Sequence, residues 1–177
     1  MPARTAAFGL GRRFDIMPAV IPVDLEAGAK TGFRLHLRNY AGVTIVLFAG
    51  IGTANDDLQC TIRESNAATG GTVQDLVNIT SYWIKDALVL DGTQAWAKVT
   101  QTISASIADT GGAGTSAEHS QLVAFDIHQG QLSDGFEWIQ VNIPDLGAAG
   151  AKLGCAFYIM WDLAVQRTPE NLAQPNA

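Results

Sequence analysis

Strict alternation of apolar and polar residues constrains this chain more than any other feature. In Phe33-Arg34-Leu35-His36-Leu37-Arg38 every second residue is apolar and each residue between is basic. A period of two puts alternate side chains on opposite faces of an extended chain, so this run reads as a strand with one face buried and one wet. Leu58-Gln59-Cys60-Thr61-Ile62-Arg63 repeats the pattern. Residues 136–143 repeat it again with a slip at Ile139, which reads as a bulge or a position covered on both sides.

Three other runs, residues 43–48, 122–127 and 155–161, are apolar almost throughout. Short β-branched and aromatic runs of this kind read as central strands covered on both faces. Weaker strands are expected at 19–25, 79–85, 87–90 and 96–103. Gly28 to Gly32, Asn39 to Gly42, Asp91-Gly92 and Ser133-Asp134-Gly135 supply turn chemistry between them. Longer loops fall at 50–57, 65–71 and 105–120, the last around Gly111-Gly112-Ala113-Gly114. Helical signal is thin: one turn is expected at 73–78, and a loop or turn at 144–152. The result is roughly nine or ten strands with a turn every ~8–12 residues, the cadence of a β-sandwich or barrel.

At 177 residues the chain fits one domain. Its ends lack alternation, which divides it into an N-terminal arm (1–15), a β-sandwich domain (16–165) and a C-terminal tail (166–177). Charged residues make up 16% of the chain, against roughly 25% in an average soluble protein. So neutral a surface suits an assembly partner. A net charge of −6 argues against nucleic-acid binding, which needs a basic face. No run approaches the length that spans a bilayer, and no apolar signal-peptide core is seen, so a cytoplasm-like compartment is expected.

Candidate chemistry is sparse. Asp56-Asp57 lacks further oxygen ligands nearby in sequence and reads as a solvated turn. Asp126 and His128 share a strand face, but His36 and His119 lie far off, so no metal cluster forms in sequence. Cys60 and Cys155 read as buried thiols facing inward, beside Ile62 and Phe157. No nucleophile elbow, dinucleotide fingerprint or activated cysteine is present, and no enzyme activity, cofactor or metal is expected. Trp83, Trp96, Trp138 and Trp161 all fall in expected strands, as core or interface packing.

Several stretches carry a resemblance. They are Val43-Thr44-Ile45-Val46-Leu47-Phe48-Ala49-Gly50, the turn Gly52-Thr53-Ala54-Asn55-Asp56-Asp57, and the strand ending Glu64-Ser65-Asn66-Ala67-Ala68. Trp83-Ile84-Lys85, Trp96 to Thr100, and Phe136 to Val141 leading into Leu153-Gly154-Cys155-Ala156 extend it to about residues 18–165. Together they resemble small virion structural proteins of tailed bacteriophages and prophages. The resemblance implies a capsid decoration (cement) protein: an all-β, jelly-roll-like sandwich with extended arms, bound as a dimer or trimer to the outside of the shell. The partner it implies is the major capsid protein, with no nucleic acid and no membrane, in a virion assembled in the bacterial host cytoplasm. Arg4, Arg12 and Arg13 would then meet acidic coat surface, with Phe8, Leu10 and Phe14 as apolar anchors. A phage tail tube or tail-completion protein is the alternative within the virion. A carbohydrate-binding β-sandwich is the alternative outside it, and a metal-dependent cupin-like enzyme a more distant one.

Overall fold

The computed structural model describes residues 9–110, 116–147 and 150–176. Eleven strands form in the order β1 (Phe14–Asp24), β2 (Lys30–His36), β3 (Tyr40–Ala49), β4 (Cys60–Ser65), β5 (Val73–Asp75) and β6 (Ile79–Ala87). β7 (Ala97–Ser104), β8 (Ser106–Ile107), β9 (Ser120–His128), β10 (Trp138–Ile143) and β11 (Leu153–Leu163) follow. Among the described residues, helical structure is confined to four short 3-10 turns.

Two antiparallel sheets face each other. One is six-stranded, ordered β1-β11-β3-β9-β6-β7; the other runs β2-β10-β4-β5, with β8 also on β4. With the β6–β7 hairpin and short β8 set aside, eight strands remain, ordered first-eighth-third-sixth in one sheet and second-seventh-fourth-fifth in the other. That order is a jelly roll, with successive strands crossing between sheets except at the fourth and fifth. The β6–β7 hairpin widens the first sheet by two strands.

The alternating residues fill the space between the sheets. Leu35, Ile62, Ile139 and Val141 from one sheet meet Ile45, Leu47, Val123, Ala156 and Tyr158 from the other, all fully buried. Tyr158 ties the sheets together: its hydroxyl donates to the Phe33 carbonyl (3.1 Å) and accepts from the Val141 N–H (2.9 Å). Burial holds this phenol well above its ordinary pKa. Tyr40 donates to buried Asp15 (3.0 Å); burial, then the Asp15 bond and charge, raise it likewise. Burial pushes the Cys60 thiol up to about 12.

Some expectations fall. Residues 73–78 hold a short strand, Val73–Asp75, because they pair with β4 and are not left to local preference. Residues 87–90 are no separate strand; β6 ends at Ala87 and the chain turns there. Trp96 precedes β7. The slip at Ile139 is resolved by cover on the outer side of β10. Ile139 faces the core, while Trp138 faces outward beneath the His36 ring, stacked at 4.3 Å. Cys155 is buried, as expected, but does not face the core. Ala156, Tyr158 and Met160 take that face, which leaves Cys155 and Phe157 on the outer one.

The first and last described segments are anchored. Residues 9–14 form a tight turn, with Gly11 at φ +79°, and the Arg167 N–H donates to the Gly11 carbonyl (2.8 Å). A Cβ at Gly11 would lie 2.4 Å from the Arg167 carbonyl oxygen, so only glycine fits. The His36 N–H donates to the Pro175 carbonyl (2.8 Å), which lays the tail along the free edge of β2.

Candidate docking surface

Strand pairing sets the outward side chains of the six-stranded sheet in rows. One row crosses all six strands: Pro18, Phe157, Val46, Ala124, Trp83 and Lys98 are neighbours in register. Beside it run Cys155, Phe48, Leu122 and Lys85 on one side, and Ile16, Ile159, Thr44 and Asp126 on the other. Ile16 (49%), Phe48 (44%), Trp83 (47%) and Phe157 (36%) are substantially exposed. Single exposed apolar residues are ordinary, whereas a contiguous apolar face marks an interaction surface.

Some side chains on this face pack down onto it. Trp161 lies over Gly42, where a Cβ would come within 2.4 Å of the indole ring. His128 meets the edge of Trp161 at 4.9 Å, and the Lys85 ammonium sits 5.1 Å from the Trp96 ring centre. Trp83, Trp96 and Ala124 frame a shallow apolar notch toward β7. Below it, Asn78, Ser81, Asp126, His128 and Gln131 line a polar recess that also touches Trp83.

Asp126 and His128 share the outer face, as their spacing requires, but they do not pair. Asp126 accepts from the Thr44 hydroxyl (2.5 Å), and the His128 ring packs on Trp161. His36 pairs with Glu137 and His119 with Asp86, each at 3.0 Å. Among the described residues no three His, Cys, Asp or Glu side chains form a metal-holding group. Cys60 and Cys155 are free thiols on different sheets.

Asp56-Asp57 departs from its reading as a solvated turn. Asp56 is buried and accepts from the Thr53 hydroxyl, and Asp57 accepts from Ser116 (3.0 Å). The reason is Lys152, fully buried in the same loop cluster, whose ammonium donates to the Ala117 carbonyl (2.8 Å). Desolvation lowers the Lys152 pKa, opposed by the charges of Asp57, Asp56, Glu26 and Asp86. A buried cation needs such counter-charges, so the acidic pair serves structure. Nothing in the local sequence pairs residue 152 with residues 26, 56 and 57.

Of the residues expected to contact a coat, Arg4 and Phe8 lie outside the described residues. Leu10 and Phe14 are half-buried and bridge each other across the N-terminal turn, while Arg12 and Arg13 are exposed. Phe14 opens β1 opposite Trp161.

Strand order defines the class as a jelly-roll β-sandwich with a widened sheet, a fold shared by capsid, lectin and cupin domains. No family model matches the chain, and no curated protein matches it. Among solved structures it is similar to one of infectious bursal disease virus, Gx strain, at 16% identity and a TM-score of 0.25, and to one of the Gt strain, at 13% and 0.21. Each match covers 91% of this chain and 43% of the other, so the chain spans less than half the length of those proteins. With both TM-scores far below 0.5, the fold assignment rests on strand order, and these likenesses carry no argument for function.

Proposed function

We propose that this chain is a structural virion protein, a decoration subunit that binds the outside of a phage shell as an oligomer and stabilises it. The observation that supports this reading is the outward row across six strands, apolar at every position but Lys98 on the edge, left open on an otherwise complete sandwich. A subunit of a lattice needs extended surfaces of this kind, and repetition turns modest contacts into high avidity. The apolar face serves association between copies. The N-terminal turn, with Arg12 and Arg13 exposed beside Leu10 and Phe14, serves the coat, together with Arg4 and Phe8. The major capsid protein is the partner and the capsid surface the location.

Copy number tests the reading. Virions are separated into heads and tails, and the chain is quantified against the main coat protein. Hundreds of copies in heads, in simple ratio to the coat, are expected. Enrichment in tails assigns it to the tube or its junction, and absence from both fractions overturns the virion reading.

One observation favours a second reading, a carbohydrate-binding sandwich. Exposed Trp83 borders a recess lined by Asn78, Asp126, His128 and Gln131, the planar polar groups that read sugar hydroxyls beside an aromatic platform. Saturable quenching of tryptophan fluorescence by a glycan, lost in Trp83→Ala, is its signature.

A further inference from the structure

We infer that the outer face of the six-stranded sheet is covered by a second copy of this chain, the two sheets stacking about a two-fold axis that runs along the strands between β3 and β9. The inference rests on the association between copies proposed above and gives it a geometry; it does not need the location in a virion.

The sequence pattern and the structure disagree in a way that asks for a second layer. The runs at 43–48, 122–127 and 155–161 are apolar on both faces except at Thr44 and Asp126, as strands covered on both sides are. They form β3, β9 and β11, and a single copy covers only their inner face. A second sheet on the outer face would give those strands the environment their composition specifies.

Area is sufficient. Six strands about 4.8 Å apart, with roughly eight residues rising about 3.3 Å each, present a face on the order of 750 Å². A standard stable interface buries about 800 Å² per partner.

Charge placement selects the axis. The ionisable groups on this face are Lys85, Lys98, Asp126 and His128, on β6, β7 and β9. The outward residues of β1, β11 and β3 in the same rows carry no charge. A two-fold along the strands lays β7 over the second copy's β1, β6 over its β11, and β9 over its β3. Lys98, on the edge strand β7, then meets Pro18 at the rim, Lys85 meets Cys155 while keeping its contact with the Trp96 ring, and Asp126 meets the second copy's Thr44 while keeping its bond to its own, so no like charges oppose each other. Phe157 meets the second copy's Trp83 twice by symmetry, which puts an aromatic pair on either side of the axis. Val46 meets Ala124 at the centre.

Analytical ultracentrifugation of the full chain tests this. The wild type is expected to sediment as a dimer or a larger even assembly at micromolar concentration. Val46→Glu and Ala124→Lys should each sediment as monomers with wild-type circular dichroism, because both positions are outward and neither supports the core. Mixing the two variants should restore association, since the carboxylate introduced at position 46 of one copy then opposes the ammonium introduced at position 124 of the other. Arg34→Glu, on the other sheet, should leave the dimer intact. A monomeric wild type, association that survives both face variants, or a mixture that stays monomeric overturns the inference. If the wild type is monomeric yet abundant in phage heads, this inference and the association between copies fail while the virion location stands; a dimer absent from virions gives the reverse.

Discussion

The two outer faces of the sandwich are built on the same pleat and carry opposite chemistry. On the β2-β10-β4-β5 sheet the central outward row is Arg34, Gln140, Arg63 and Asp75. Its members are occupied locally: Arg34 donates to the Ala67 and Gly70 carbonyls (2.6 and 2.9 Å), Gln140 to the Gly32 carbonyl (2.6 Å), and Arg63 lies 3.3 Å from Asp75. On the six-stranded sheet the equivalent row is Pro18, Phe157, Val46, Ala124, Trp83 and Lys98. A polar row paired within the monomer is complete in water. An apolar row in water is complete only when something covers it. Folding satisfies one sheet within the monomer, and on the proposal above the other is left for assembly.

The largest expected effect separates the two faces through their tryptophans. Trp138, on the polar sheet, is buried and stacked on His36, whereas Trp83 projects from the open face. Trp138→Ala should cost about 3–5 kcal/mol of monomer stability, the range for truncating a buried aromatic, as read by urea denaturation. A loss below about 1 kcal/mol would mean that the outer side of β10 is not the finished surface described.

Tyr158 joins the two sheets, and Tyr158→Phe should cost about 1–3 kcal/mol, because the Val141 N–H and Phe33 carbonyl lose their buried partner. An unchanged denaturation midpoint would show that the sheets are held by packing alone.

Alkaline pH probes the same interior. Cys60 has a folded pKa of about 12 against an ordinary 9.0, and Tyr158 and Tyr40 are raised from 10.0. A neutral group whose folded pKa is raised contributes stability that is intact below its ordinary value and lost above it, where only the unfolded chain gives up its proton. Stability should hold to about pH 9 and then fall, with Cys60 alone accounting for about 2 kcal/mol by about pH 10.5. Cys60→Val should flatten the first part of that slope in a pH series of thermal melts; an unaltered slope would place the thiol outside the core.

The smallest effect on folding belongs to the open face. Trp83→Ala should change monomer stability by less than about 1 kcal/mol while weakening association, since an exposed ring contributes little to its own fold. A large loss of stability would make Trp83 part of the fold and remove the contrast between the sheets.

Much of this architecture was legible in the residues. Alternation in 33–38 placed Leu35 inward and Arg34 and His36 outward, and the apolar runs marked β3, β9 and β11 as central. Residues 73–78 misread because three residues hold too little pattern to outweigh pairing with β4. The facing of Cys155 misread because its whole run is apolar, so composition gave no phase, and only the register with Phe48 fixes its side. The docking face was legible as tryptophans and low charge but not as a surface, since its row draws one residue from each of six strands that are not in chain order. Lys152 and its carboxylates were invisible for the same reason: their contact is made by loops.

A covered six-stranded face in the working form of the protein should leave a direct chemical record. Hydroxyl-radical footprinting compares the assembled particle with the Val46→Glu monomer. Trp83, Phe157 and Phe48 should react in the monomer and be protected in the assembly, while His36 and Arg63 on the opposite sheet react alike in both. Equal reactivity of Trp83 and Phe157 in the two forms would mean that the face stays open to water, and the division between a finished sheet and an assembling one would fall with it.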